Sequence, residues 1–144
     1  VFCVNSHHPV IDVILNQKYQ LAQDHNIHMH IQVNDLSTVS VQTDFLVVVL
    51  SNLLDNAIEA CLHVPENRII FCRLLVGESF YLSIRNTSNP VVIKNGTIET
   101  TKDNFHEHGY GIQAVSYILD NMSAEYTFEY QNGWFQFVAE LPLK

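Results

Sequence analysis

The sequence predicts an α+β domain, a two-layer α/β sandwich in which three helices cover one face of a mixed sheet of about five strands. Helical and strand-like hydrophobic periods alternate in the order αβαββ, then a long irregular segment, then αββ, and that alternation favours helices layered on a sheet. Apolar residues make up 47% and charged residues 15% of the 144, the balance of a packed globular chain. A single domain of this length buries roughly two-thirds of the surface its unfolded form exposes, so it needs no disulfide or metal staple.

From Pro9 to Asp24, Val10, Val13, Ile14, Tyr19 and Leu21 recur at helical spacing behind a proline suited to a helix start. Ile27 to Val33 alternates, with Ile27, Met29, Ile31 and Val33 on one face and His28, His30 and Gln32 on the other, as in a half-buried strand. A polar turn and a short Val39 to Val41 stretch lead to the strongest helix, capped by Thr43 or Asp44, running to about His63 and stopped by Pro65. Its core set is Leu46, Val49, Leu50, Leu53, Leu54, Ala57, Ile58 and Cys61.

Strands Arg68 to Val76 and Ser79 to Arg85 follow, joined at Gly77-Glu78. Asn86 to His108 has no clear period, carries Pro90 and Gly96, and is of a length usually reserved for functional or disordered loops. Gly109-Tyr110-Gly111 then opens a helix with Ile112, Val115, Ile118, Leu119 and Met122 on its core face. Strands Ala124 to Tyr130 and Trp134 to Leu141 flank a turn at Gln131-Asn132-Gly133, where Asn-Gly signals a hairpin.

The whole of 1–144 reads as one domain, with 1–9 as a linker and 86–108 as a mobile loop. The start at Val1, without Met, suggests a piece of a longer protein with membrane segments upstream. No apolar run within the chain reaches the roughly 18 residues of a span. Seven basic against fifteen acidic residues, net charge −8, oppose the counterion release that drives nucleic-acid binding. Cys3, Cys61 and Cys72 are odd in number and lack CxxC spacing, which disfavours a disulfide framework or zinc ribbon and suits a reducing cytoplasm.

Three groups of residues invite chemistry. At 100° per residue Asn52, Asn56 and Glu59 fall within about 60° of one another on the long helix; the stripe is either a solvated face or a set of carboxamides kept for a ligand. Gly109-Tyr110-Gly111 lets a ligand approach backbone N–H groups at a helix N-terminus, where an anion is favoured, although helix starts use glycine for other reasons too. Lys102 is either a cation able to fold over a phosphate chain or an ordinary surface lysine. The pairs His28/His30 and His106/His108 lack a neighbouring Cys or acidic cluster at ligand spacing and read as surface histidines, and His7-His8 as solvated linker. No serine-hydrolase, zincin or P-loop run is present.

Asn52-Leu53-Leu54-Asp55-Asn56-Ala57-Ile58-Glu59-Ala60 resembles the N box of the histidine-kinase and gyrase-type ATPases, and Thr100-Thr101-Lys102 with His108-Gly109-Tyr110-Gly111-Ile112 resembles their lid and second glycine box. The Leu15-Asn16-x-Lys18 helix and the Asn132-Gly133-Trp134-Phe135 hairpin are similar to those of Agr-type, peptide-sensing quorum kinases. The resemblance covers nearly the whole chain and implies a Bergerat-type ATP-binding fold. It makes the chain the catalytic domain of a sensor histidine kinase, which transfers the γ-phosphate of Mg-ATP to a histidine.

By the same resemblance Asn56 binds Mg2+ through its side-chain oxygen, and Asn52 replaces the glutamate that activates water in the hydrolysing members. The amides of Gly109 and Gly111 cradle phosphates, flanked by His108, Tyr110 and Ile112, under a lid carrying Lys102. Two positions depart from the wider pattern. Asn86 stands for the aspartate that accepts from the adenine amino group, and Glu59 for a basic residue near the phosphates. A degenerate nucleotide-binding module without phosphotransfer, or an ATP hydrolase, is the alternative. The implied partners are ATP, a histidine-bearing dimerisation hairpin and a response regulator, with no nucleic acid and no direct membrane contact. The full-length protein is expected to be a homodimeric bacterial membrane sensor with this domain in the cytoplasm.

Overall fold

The computed structural model describes residues 3–40, 43–91, 93–94, 97–98 and 110–143. Helix α1 (Pro9–Asp24) opens with proline in its first turn, and the His8 imidazole accepts the Ile11 N–H at 3.3 Å. It closes in a Schellman arrangement: Asn26 takes φ 59°, its N–H donates to Gln23, and the Ile27 N–H reaches back to the Ala22 carbonyl at 2.9 Å. Strand β1 (His28–Val33), helix α2 (Thr43–Leu62) and strand β2 (Ile69–Val76) form a crossover that leaves β1 and β2 parallel. Strand β3 (Phe80–Thr87) returns antiparallel. Helix α3 (Tyr110–Asn121) leads to β6 (Glu125–Gln131) and β7 (Trp134–Leu141). The sheet order is β1-β2-β3-β7-β6, so the predicted five-stranded mixed sheet with three helices is what the chain forms.

The core lies between that sheet and the helices. From α2 it takes Leu46, Val49, Leu50, Leu53, Leu54, Ala57, Ile58 and Cys61, the full predicted set, and from the sheet Ile70, Cys72, Leu74, Phe80, Leu82, Ile84, Phe137 and Ala139. Helix α2 is long and apolar enough to pass for a membrane span, with mean hydropathy 1.7 over Asp44–Leu62, but here that stripe is the centre of a protein core. The β6–β7 turn follows the Asn-Gly signal, with Asn132 at φ 51° and Gly133 at φ 86°.

Three expectations need correction. In α1 the buried residues are Ile11, Ile14, Leu15 and Ala22, while Val13 is 68% exposed and Val10 and Leu21 more than a third exposed. The helix carries two overlapping apolar stripes, about 100° apart, and the one that packs is displaced by a residue from the one predicted. Residues 4–8, expected within a linker, are anchored. The Val4 N–H donates to Asn16 Oδ1 at 2.8 Å, and the Ser6 hydroxyl, fully buried, donates to Asp12 at 2.6 Å. The Ser6 carbonyl accepts the Leu36 N–H.

The segment 86–108 is not one irregular loop. Asn86 and Thr87 complete β3, and two short strands, β4 (Ile93–Lys94) and β5 (Thr97–Ile98), pair antiparallel. Residues 39 and 40 form no strand, and Val41 lies outside the described residues.

Candidate functional site

In the second half of α2 the side turned from the core is polar, continuing a side that carries the exposed Phe45 and Val48 in the first half. Asn52, Asn56 and Glu59 are all half-buried on it. The Asn52 amide donates to the Val48 carbonyl one turn back at 2.9 Å, which leaves its oxygen free of intrahelical duty. The Asn56 Nδ2 is buried and has no hydrogen-bond partner. A buried donor left unpaired costs on the order of 1–3 kcal/mol, so the fold retains at Asn56 a polar group it does not itself satisfy. Rotation of the carboxamide would present oxygen in place of nitrogen at that point.

Glu59 is turned along the helix, its carboxylate 3.2 Å from His63 Nε2. Asp55, between the two asparagines, takes the Lys18 ammonium of α1 at 2.6 Å, and this contact clamps α1 to α2 beside the stripe.

Asn86 is 2% exposed on the helix-facing side of β3, in register with Ile70 and Phe135. Its amide nitrogen donates to the Thr87 carbonyl at 3.0 Å, so the side-chain oxygen is the acceptor left over. Next to it Thr87 Oγ1 accepts the Ile69 N–H at 3.0 Å and meets Cys61 Sγ at 3.5 Å. Asn89 donates to the His63 carbonyl, and the Ser88 N–H donates to the Gly133 carbonyl. These contacts pin the exit of β3 against the C-terminal end of α2 and the β6–β7 turn. Thr87 and Cys61 are the positioning residues that sequence reasoning missed, because their contact spans 26 positions and neither belongs to a motif. Burial pushes the Cys61 thiol up, against its hydrogen bond to Thr87, so it serves as a neutral packing group.

The structure thus brings the stripe of α2 and Asn86 to the same side of the sheet, and α3 packs against α2 there. Tyr110, Gly111 and Ile112 form the start of α3 by their backbone. Lys102, His108 and Gly109 lie outside the described residues, as does His106. Among the described residues no group of three His, Cys, Asp or Glu side chains could hold a metal ion, so a cation here would depend on a carboxamide and on ligand oxygens.

Compared with known proteins, residues 41–142 match the GHKL domain, a span from the entry of α2 through β7. The chain belongs to the GHKL domain family. This GHKL domain is 29% identical over 137 residues to the sensor histidine protein kinase HK06 of Streptococcus pneumoniae, an alignment that takes in 87% of the chain and 29% of that kinase; it spans under a third of the relative's length. In structure it is similar to the catalytic domain of histidine kinase ThkA, with a TM-score of 0.73 and 20% identity over 99% of this chain and 97% of that one. It is also similar to the mycobacterial sensor histidine kinase MprB, with a TM-score of 0.66 and 17% identity over 93% of each chain. The GHKL domain therefore has the fold of histidine-kinase catalytic domains and is a nucleotide-binding domain of the kind sensor histidine kinases carry.

Proposed function

We propose that this domain binds Mg-ATP between the polar stripe of α2 and the start of α3, and delivers the γ-phosphate to a histidine on a dimerisation hairpin of the same protein. The observation that carries the reading is the unpartnered, buried amide of Asn56 on the N-box helix of a GHKL domain. Asn56 would hold the ion through its side-chain oxygen. Magnesium bound there with the nucleotide would supply neutralisation of the phosphate charge that grows during transfer.

Asn86, with its nitrogen committed to Thr87, offers oxygen to the adenine amino group, a neutral acceptor weaker than a carboxylate. The N–H groups at Gly109 to Gly111 and the dipole of α3 would face the phosphates, and Lys102 would add a cation from the lid. Glu59, engaged by His63, is held along the helix. Asn52 carries no proton-accepting carboxylate, so water is not activated and the γ-phosphate survives until an imidazole arrives. Catalysis by the chain is then positioning and electrostatics, with the nucleophile supplied by the partner hairpin. In the whole protein we place the domain on the cytoplasmic side of a homodimeric sensor that passes phosphate to a response regulator.

Supplying the hairpin in trans with γ-labelled ATP tests this. The expected product is acid-labile phosphohistidine on the hairpin. Nucleotide binding without any transfer would instead favour a docking module, the outcome to which the neutral Asn86 and acidic Glu59 would point.

A further inference from the structure

The face of the sheet turned away from the helices carries a second constellation. Cross-strand register aligns His30, Phe71, Arg85, Gln136 and Glu129 in one row, from β1 to β6. His30 stacks on Phe71 at 4.9 Å, and the Arg85 guanidinium lies 4.1 Å above the Trp134 ring. Arg73, paired with Ser83 and so one cross-strand diagonal from Arg85, sits 5.9 Å from the Tyr81 ring and donates to Gln32. Phe71, Arg73, Tyr81, Arg85, Trp134 and Glu129 are among the residues that line a depression of about 580 Å³.

The third arginine, Arg68, spends its donors on the carbonyls of His25, Leu62 and Val64. Arg85, in contrast, has ring contacts only among the described residues, with Phe71 and Trp134. Among the described residues the carboxylates in contact with a basic side chain are Asp55, with Lys18, and Glu59, with His63, so neither sheet arginine meets a carboxylate. Two like charges stand side by side on a chain of net charge −8. A guanidinium held over an aromatic ring by its charge spends no N–H donor on that contact, so its donors stay available to a bidentate acceptor.

We propose that this depression docks an acidic, extended segment of a partner protein, two of whose carboxylates engage Arg73 and Arg85. Diagonal neighbours on a sheet are about 7–8 Å apart, and side chains two positions apart in an extended strand are separated by about 6.6–6.8 Å; alternate acidic residues match that spacing. Glu129, two strands from Arg85 on β6, repels such a segment and confines it to the β2–β3 side. The site lies on the opposite face of the sheet from the nucleotide stripe and does not depend on the function proposed above.

Trp134 is the only tryptophan and reports on the site directly. The test titrates the chain at low salt with an octapeptide of alternating Glu and Ser, following Trp134 fluorescence, with inorganic phosphate at matched ionic strength in a parallel arm. A saturable change is expected with the peptide and none with phosphate. Affinity should fall at least tenfold in Arg73→Gln/Arg85→Gln and severalfold in Arg85→Lys, which keeps the charge but loses the fork, while both variants keep the wild-type circular-dichroism spectrum and cooperative unfolding. The proposal is overturned if the peptide leaves Trp134 unaffected, if the double variant responds as the wild type does, or if phosphate alone reproduces the change. A change that follows protein concentration without peptide, marking self-association, overturns it too.

Discussion

Asn52 and Asn56 stand one turn apart on α2 and differ in what their amide nitrogens do: one is spent on Val48, the other is buried without a partner. Removing the unpaired group removes its desolvation penalty, so Asn56→Ala should melt no lower than the wild type in the absence of nucleotide, as calorimetry would show. Asn52→Glu places a carboxylate beside the proposed γ-phosphate site and should introduce slow ATP hydrolysis; brisk hydrolysis by the unaltered domain would contradict the role given to Asn52.

Cys72 is fully buried, and burial pushes its thiol up to about 12 from an ordinary 9.0. Its contribution to stability is present below pH 9. It declines as pH rises from 9 towards 12, where the unfolded chain ionises this thiol and the folded chain does not. Urea midpoints should therefore fall less steeply above pH 9 in Cys72→Ala than in the wild type. In native protein near pH 8 a thiol reagent should modify the exposed Cys3 and spare Cys61 and Cys72.

At the scale of elements, α2 was fully legible and α1 was not. The eight core residues of α2 repeat over about four turns with polar residues confined to one side, so a single rotation of the helix buries them. Helix α1 is shorter and apolar on adjacent sides, and the choice between Val10/Val13 and Ile11/Leu15 is made by what β1 and α2 present to it, which no local period encodes. Leu15→Ala should cost about 2–5 kcal/mol in urea unfolding, and Val13→Ser less than about 0.5 kcal/mol; equal losses would mean that both stripes pack. Strand β3 outran its expected end because Asn86, a poor strand former, is held by register with β2 and β7, and Thr87 beyond it by register with β7 and by the Cys61 contact.

For the molecule as a whole, the fold class and strand count followed from the alternation of periods, because a sheet covered by helices on one face is what such a chain must build to bury its apolar residues. The site was legible where a single helix carries it, since helical period alone places Asn52, Asn56 and Glu59 together. It was illegible where strands from distant parts of the chain converge. The Thr87–Cys61 support depends on how α2 packs on β3, and the Arg73–Arg85 face on register between β2 and β3; both are known only once the chain has folded. The two proposals place the nucleotide on the helix side of the sheet and an acidic partner on the open side.

The central claim is that the buried carboxamide of Asn56 is kept for a magnesium-bound nucleotide, and calorimetric titration with ATP, with and without magnesium, measures it most directly. The account predicts magnesium-dependent binding that weakens more than tenfold, about 1.4 kcal/mol, in an Asn56→Ala variant that still folds. Equal affinity in the variant, or binding indifferent to magnesium, would contradict it.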